Sequence, residues 1–541
     1  MHVKITRSGS RRYIQLVESF RDDTGRVRKR TVASLGRLDQ KSGDLDSVIN
    51  GLLKASGRGP LKSEAPDVRF ESARALGDVW ALTELWHQLG FDELRRVFRR
   101  TRHTTDIEAL IRLMVFNRLC DPESKLGVLR WVKTVALPGM DLSDLSHQQL
   151  LRSMDALVDH QDAVDKVVAK LLRPLIDQEL SVVFYDLTTI RSEGATELDD
   201  DVRQFGMSKE GLIARQFMLG VVQTADGIPI YHEVFDGNTA ETQTLLPTLK
   251  TILDRFPSIR RLVLVADRGL LSLDNLDELK SIRLNTGQPL EFILAVPGRR
   301  YSEFADLLSG AHREHCVDAE GEFIGEIPWQ DLRLVVAHNP EAARVQTQYR
   351  ADKIHQLTHQ ANAWAGKLDD QEAGGKYRGR KLSDSGAKAR FFSEVREAHL
   401  SKIIKVDLKG DLFNYCIDEN ALRLAEMMDG KLLLVTNVPD LTPKDIVGRY
   451  KSLADIERGF KVLKSEIEIG PVHHRLPDRI RAHAAICFIA LILHRVLRGR
   501  LKQANSGLSP ERLLEQLRTI QHHKVQINSN APITGVSLSL I

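Results

Sequence analysis

Three acidic side chains stand where an all-oxygen cage for a divalent cation would need them. The strand-like run Ser181-Val182-Val183-Phe184-Tyr185 delivers Asp186 into Leu187-Thr188-Thr189. A second run, Arg261-Leu262-Val263-Leu264-Val265-Ala266, delivers Asp267 into Arg268-Gly269. The third acid, Glu457, sits in a charged helix that begins near Pro443. Mg²⁺ is hard and octahedral and binds chiefly through oxygen, so two acids at strand ends and one on a helix suit it. In such a site Asp186 would bridge two ions about 4 Å apart, with Asp267 and Glu457 each completing one. The chemistry that follows is phosphodiester cleavage or transfer. Taken singly, either aspartate reads equally well as an N-cap or turn residue. It is the joint occurrence that points to one site.

Tyr450, Glu457 and Lys464 are each seven residues apart, nearly two helical turns, which sets them on one face of a helix spanning 443–466. The same segment has an apolar stripe, Ile446, Leu453, Ile456, Phe460 and Leu463, for packing on a core. A phenol, a carboxylate and an ammonium on one face would hold a phosphate on either side of a reaction centre. Thr188 and Thr189 either position Asp186, touch a phosphate, or form a plain turn. Ser208-Lys209 and Asn238 to Glu241 would line a DNA channel or serve as turns and caps. Trp329 and Trp364 would stack on an extruded base or, more simply, pack in a core. His473 and His474 are adjacent and point apart, which argues against a metal pair. His483 and Cys487 are four apart on an apolar helix and read as packing. A phosphatase using Asp186 as nucleophile would need a second aspartate two residues on, where Thr188 stands. No G-x4-G-K-[ST] motif for phosphate binding occurs.

The chain's 541 residues are 42% hydrophobic and 28% charged, with a formal net charge of only +4. No global polycation argument is available, but the charge is clustered. Ten Lys/Arg against three Asp/Glu lie between Lys4 and Arg37, and seven against one between Arg475 and Lys502. Arg95, Arg96, Arg99, Arg100 and Arg102 form a third cluster. With the three acids, these favour a phosphate backbone as partner. Four scattered cysteines with no C-x-x-C spacing fit a reducing cytosol. The apolar run Ala482 to Leu493 is about a dozen residues, short for a bilayer, and reads as a buried helix. The expectation is a soluble, cytoplasmic protein with no membrane segment.

Residues 1–40 alternate as a three-stranded meander, with a turn at Asp22-Asp23-Thr24-Gly25. The basic N-terminal β domain is placed at 1–55, and a helical domain of four to six helices at 67–178. At Leu180 the period changes to three antiparallel-looking strands, then helix, strand, helix, strand. That is the order of an RNase H-like core, expected at 179–300 and resumed at 431–500, with the catalytic helix opened by Thr442-Pro443-Lys444-Asp445. The fold class expected is therefore α/β: an RNase H-like core interrupted by a β-rich insertion at 301–430. A β meander and a helical domain precede it, and a tail at 501–541 follows.

Phe184-Tyr185-Asp186-Leu187-Thr188-Thr189, Val265-Ala266-Asp267-Arg268-Gly269 and Tyr450-x6-Glu457-x6-Lys464 together resemble the DDE transposases of bacterial insertion sequences. The resemblance is to the branch with an insertion before the catalytic glutamate and a Tyr-x2-Arg-x3-Glu-x6-Lys signature. Gly206-Met207-Ser208-Lys209, Phe235-Asp236-Gly237-Asn238-Thr239-x-Glu241 and Leu434-Val435-Thr436-Asn437 are similar too, so the likeness covers about 180–500. It implies catalytic, metal-binding Asp186, Asp267 and Glu457, two Mg²⁺ ions per site with Mn²⁺ as substitute, and DNA contacts by Tyr450, Lys464, Arg449, Thr188 and Arg268. It also implies binding of terminal inverted repeats, cleavage at the element ends, joining to target double-stranded DNA, and a homodimer that pairs the ends. Leu453 departs from the signature, which has arginine there; Arg449, one turn earlier, would reach the same neighbourhood. The competing expectation is a catalytically silent, domesticated DNA-binding protein or repressor on the same fold.

Overall fold

A computed structural model of the chain describes residues 1–8, 11–37, 42–58, 68–99, 105–140, 142, 144–176, 181–194, 198, 201–207, 213–267, 273–315, 322–374, 381–527 and 533–538. The chain divides into two compact units. One comprises Met1–Ser72 with His523–Gly535, and the other Ala73–His522 with Val536–Ile541.

The first unit opens with β1 (His2–Ser8), β2 (Arg11–Arg21) and β3 (Val27–Arg37), an antiparallel meander as the alternation predicts. Its second turn closes because the Asp22 carboxylate accepts from the backbone of Thr24 and Arg26, at 3.1 Å each, while Gly25 takes a positive φ of 79°. Helix α1 (Ser42–Ala55) follows. The strand β4 (Val68–Ala75) belongs to a second small sheet.

Among the described residues of the second unit, six α-helices precede the central sheet: α2 (Gly77–Leu89), α3 (Leu94–Phe98), α4 (Ile107–Cys120), α5 (Lys125–Trp131), α6 (His147–Asp159) and α7 (Gln161–Leu172). Their starts follow capping rules: Asp106, Ser124 and Ser146 each accept a backbone N–H of the first turn. The sheet strands are β5 (Ser181–Arg191), β6 (Gln204–Met207), β7 (Ile213–Thr224), β8 (Pro229–Asp236), and, after α8 (Glu241–Arg255), β9 (Leu262–Ala266). Helix α9 (Leu273–Ser281) leads to β10 (Glu291–Ala295), α10 (Ala305–His315), β11 (Phe323–Trp329) and β12 (Leu332–His338). Strands β5, β7 and β8 form an antiparallel meander, and β9 and β10 then add parallel beside β5. That gives the order β8-β7-β5-β9-β10, the five-strand arrangement of an RNase H-like core. Every residue of β9 and β10 is buried, as an apolar run covered on both faces requires.

Residues 301–430 differ from the β-rich insertion expected. They hold α11 (Pro340–Glu372, 33 residues), α12 (Asp384–Glu397) and α13 (Glu419–Met428), with β13 (Ile404–Val406) and β14 (Tyr415–Ile417) as a single two-stranded ladder. The helices close over a core of their own, Leu357, Ala361, Phe391, Val395, Leu400, Ile403 and Ile404. Strands β11 and β12 instead extend the central sheet through β15 (Lys431–Thr436), which pairs antiparallel with β10. Trp364 packs edge-on to Phe391, and Trp329 against Phe304, so both tryptophans are packing residues.

After β15 come α14 (Pro443–Lys451), α15 (Leu453–Ser465) and α16 (Pro477–Gln503). The 443–466 helix is thus two helices. The Ser452 hydroxyl donates to the Gly448 carbonyl at 3.1 Å, the back-bonding that bends a helix. Helix α16 runs 27 residues, longer than its apolar run suggested and long enough to cross a membrane, but 89% of its most apolar stretch is buried inside the protein. It packs on α4, α6 and β8 as a core helix. Residues 501–541 carry α17 (Pro510–Arg518), β16 (Ile520–Ile527) and β17 (Ile533–Leu538), and the second small sheet has the order β17-β16-β4.

Candidate active site

The parallel register of β5 and β9 places the first two acids. Tyr185 pairs with Ala266, so the next residues, Asp186 and Asp267, leave neighbouring strands side by side. Asp186 is not at a strand end. β5 continues to Arg191, with Asp186 opposite Val221 and Thr188 opposite Leu219 of β7. The β-branched threonines extend the strand rather than turning it. Thr188, two residues after Asp186 on the same strand, is buried. The Asp186 carboxylate accepts from the Leu187 N–H at 2.7 Å.

Tyr185 anchors the strand beneath. Its hydroxyl donates to Thr244 Oγ1 of α8 at 2.8 Å, and burial pushes the phenol's pKa far up. Gly220, across on β7, leaves room for that ring: a Cβ there would stand 3.0 Å from the tyrosine oxygen. Thr436 and Asn437 fix the far side of the core. Asn437 Nδ2 donates to Leu290 O and its Oδ1 accepts from Phe292 N, at 2.9 and 2.8 Å, so the side chain continues the β15–β10 ladder.

Glu457 comes from α15, and all three acids line one cavity of about 200 Å³ with Tyr450, Lys451, Leu453 and Ala454. Asp267 and Glu457 are exposed and Asp186 is half-buried. The Tyr450 hydroxyl donates to Asp267 Oδ1 at 2.7 Å. Gly459 lets α15 lie close to the sheet, since a Cβ there would be 2.5 Å from Gln223 Nε2. Among the described residues, no three His, Cys, Asp or Glu side chains are drawn tightly enough to hold an ion as they stand. An all-carboxylate donor set around one solvent-open cavity nevertheless fits a hard divalent cation.

The other expected contacts separate. Lys464 and Arg449 do not line the cavity. Arg449 is half-buried, and its charge acts on Asp440, whose carboxyl is held below its usual range mainly by the hydrogen bond from Arg261. Where the signature has arginine, Leu453 faces the acids. The lysine that lines the cavity is Lys451, which the spacing did not single out. Arg268, Ser208 and Lys209 lie outside the described residues. His483 Nε2 donates to Ile469 O, 2.9 Å away, deep in the core and away from this cavity.

A sheet ordered β8-β7-β5-β9-β10 thus carries Asp186 on β5 and Asp267 after β9, side by side, with Glu457 on a following helix lining the same cavity. Family models match this chain. The transposase DDE domain matches residues 177–493, more than half of the chain, and the N-terminal domain of IS1634-family transposases matches residues 2–67. The chain belongs to the DDE transposases of insertion sequences and is a DDE-type transposase enzyme. Membership implies dependence on divalent cations. No curated protein matches the chain. Among solved structures, a piggyBac transposase synaptic complex with hairpin DNA is similar over 81% of this chain and 76% of that one, at 9% identity and a TM-score of 0.37. A Drosophila P element transposase strand transfer complex is similar over 80% and 90%, at 14% identity and a TM-score of 0.19.

Proposed function

We propose that this enzyme binds the terminal inverted repeats of its insertion sequence, cleaves phosphodiester bonds at the element ends, and joins those ends to target DNA. The observation that carries the reading is the shared cavity of Asp186, Asp267 and Glu457. These carboxylates would hold two Mg²⁺ ions, with Mn²⁺ as substitute. Bound Mg²⁺ supplies an acidified water or 3′-hydroxyl and charge stabilisation at the leaving oxygen. The chain's own residues do the rest. Lys451 offers an ammonium to a non-bridging phosphate oxygen, and the Tyr450 hydroxyl offers a neutral donor on the same side. Leu453 and Ala454 give the cavity an apolar wall that limits water around the scissile bond.

End recognition is placed in residues 1–178, where basic strands and helices would contact phosphates. A homodimer pairing the two element ends completes the reading, acting in the cytoplasm on the nucleoid. The test is Mg²⁺-dependent nicking of a duplex carrying the element's terminal repeat. Asp186→Asn, Asp267→Asn and Glu457→Gln should each lower nicking at least a thousandfold while gel-shift affinity for the repeat stays within about threefold. Wild-type protein that shifts the repeat but never nicks it would favour a silent DNA-binding protein instead.

A further inference from the structure

We infer that Tyr450 is a latch on Asp267 that couples cation loading to arrival of the DNA backbone, an inference that rests on the three-acid reading above. The hydroxyl of Tyr450 donates to Asp267 Oδ1 at 2.7 Å, so one oxygen of a would-be ligand is engaged by a neutral donor. The latch is held from a firm base. Tyr450 is the penultimate residue of α14, whose Ile446 and Val447 are buried and whose first turn is capped by Thr442 accepting from Asp445 N. Glu457 rides on the other side of the Ser452 joint, on α15. The phenol therefore ties Asp267 to the fixed helix while the third acid belongs to the next one. The described residues accordingly show three acids around one cavity without a closed cage.

Two consequences follow from the chemistry of the donor. A phenol O–H on a carboxylate oxygen occupies one of its lone pairs and draws off part of its charge, so a cation that seeks that oxygen must displace the hydrogen bond or accept a weakened ligand. A DNA phosphate beside Lys451 offers that phenol an equally charged acceptor, so the hydroxyl transfers its hydrogen bond and Asp267 Oδ1 is released. Linkage then makes the effect mutual: DNA tightens cation binding, and cations tighten DNA binding. Tyr450 is thus a positioning residue whose removal should improve one property of the DNA-free enzyme.

The experiment titrates the full-length, DNA-free protein with Mn²⁺ alone, followed by electron paramagnetic resonance of the free ion. Tyr450→Phe, which keeps the ring and its packing, should bind Mn²⁺ about tenfold more tightly than wild type, equivalent to about 1.4 kcal/mol. Asp186→Asn, run in parallel, should abolish that binding. Unchanged or weaker binding by Tyr450→Phe, with wild-type thermal unfolding and with Asp186→Asn binding lost, overturns the latch and leaves the three-acid site standing. Mn²⁺ binding that survives Asp186→Asn unchanged would instead overturn the site itself, and the latch with it.

Discussion

Gly459 is the residue through which the geometry of the site is most sensitive to a single carbon. It lies two residues after Glu457, on the buried face of α15. A Cβ at this position would stand 2.5 Å from Gln223 Nε2 and 3.0 Å from an Arg495 Nη2. Gln223 is fully buried on β7, with both amide atoms shut away from solvent, so it has no open space into which to swing. Relief to an ordinary contact of about 3.5 Å requires α15 and the sheet to separate by about 1 Å. Two opposing effects act on stability. Alanine gains about 1 kcal/mol of helix propensity over glycine, and overpacking costs about 1–3 kcal/mol. The net loss for Gly459→Ala is therefore about 0–2 kcal/mol, a modest fall in Tm. Catalysis has no such compensation, because a displacement of about 1 Å in a catalytic group costs roughly a hundredfold in rate. The assay is single-turnover nicking of the terminal-repeat duplex with Mg²⁺, set beside thermal unfolding. Gly459→Ala should nick about a hundredfold more slowly, and Gly459→Ala with Gln223→Ala should recover part of that loss by making room. Wild-type nicking by the single variant, or a double variant no faster than the single, would refute the reasoning.

Two further outcomes concern stability. Lys125 is buried near Arg118, His474 and His483, and burial together with the Arg118 charge lowers its pKa to about 7. An unfolded lysine titrates near 10.4, so the folded state binds fewer protons between those values and stability rises with pH from about 7 to about 10.4. Lys125→Met should be more stable than wild type by about 1–3 kcal/mol at pH 7, a gap that closes by about pH 10.4; chemical denaturation at the two pH values checks it. Asp429, buried just before β15, pairs with half-buried Arg350 and accepts from Thr347 Oγ1 at 2.6 Å. Asp429→Ala leaves the guanidinium uncompensated and should cost about 3 kcal/mol in urea unfolding.

Much of this was legible in the residues, and the exceptions have physical reasons. The unbroken apolar runs at 262–266 and 292–295 form strands buried on both faces, and the parallel pairing of 262–266 with β5 brings Asp267 beside Asp186. The Thr442-Pro443 start was equally plain, because capping is decided by four neighbouring residues. The joint at Ser452 was not, since the apolar stripe keeps its period on both sides and only one hydroxyl bends the helix. Spacing fixed the face of Lys464 but not its height. Seven residues are roughly 10 Å of helix, and the cavity lies toward Tyr450, where Lys451 reaches it. The β-branched runs near 404–406 and 415–417 do form strands, but the polar stretches 340–372, 384–397 and 419–428 form helices that outweigh them, because their few apolar residues, such as Leu357, Ala361, Phe391 and Val395, suffice for a small core of their own.

The measurement that bears most directly on the three-acid site is anomalous scattering from Mn²⁺ in crystals of the protein with a terminal-repeat duplex. The account predicts manganese within about 2.2 Å of carboxylate oxygens from Asp186 and Asp267, with Glu457 turned in to complete the set. Manganese bound elsewhere, or Glu457 still pointing to solvent beside a correctly seated scissile phosphate, would contradict it.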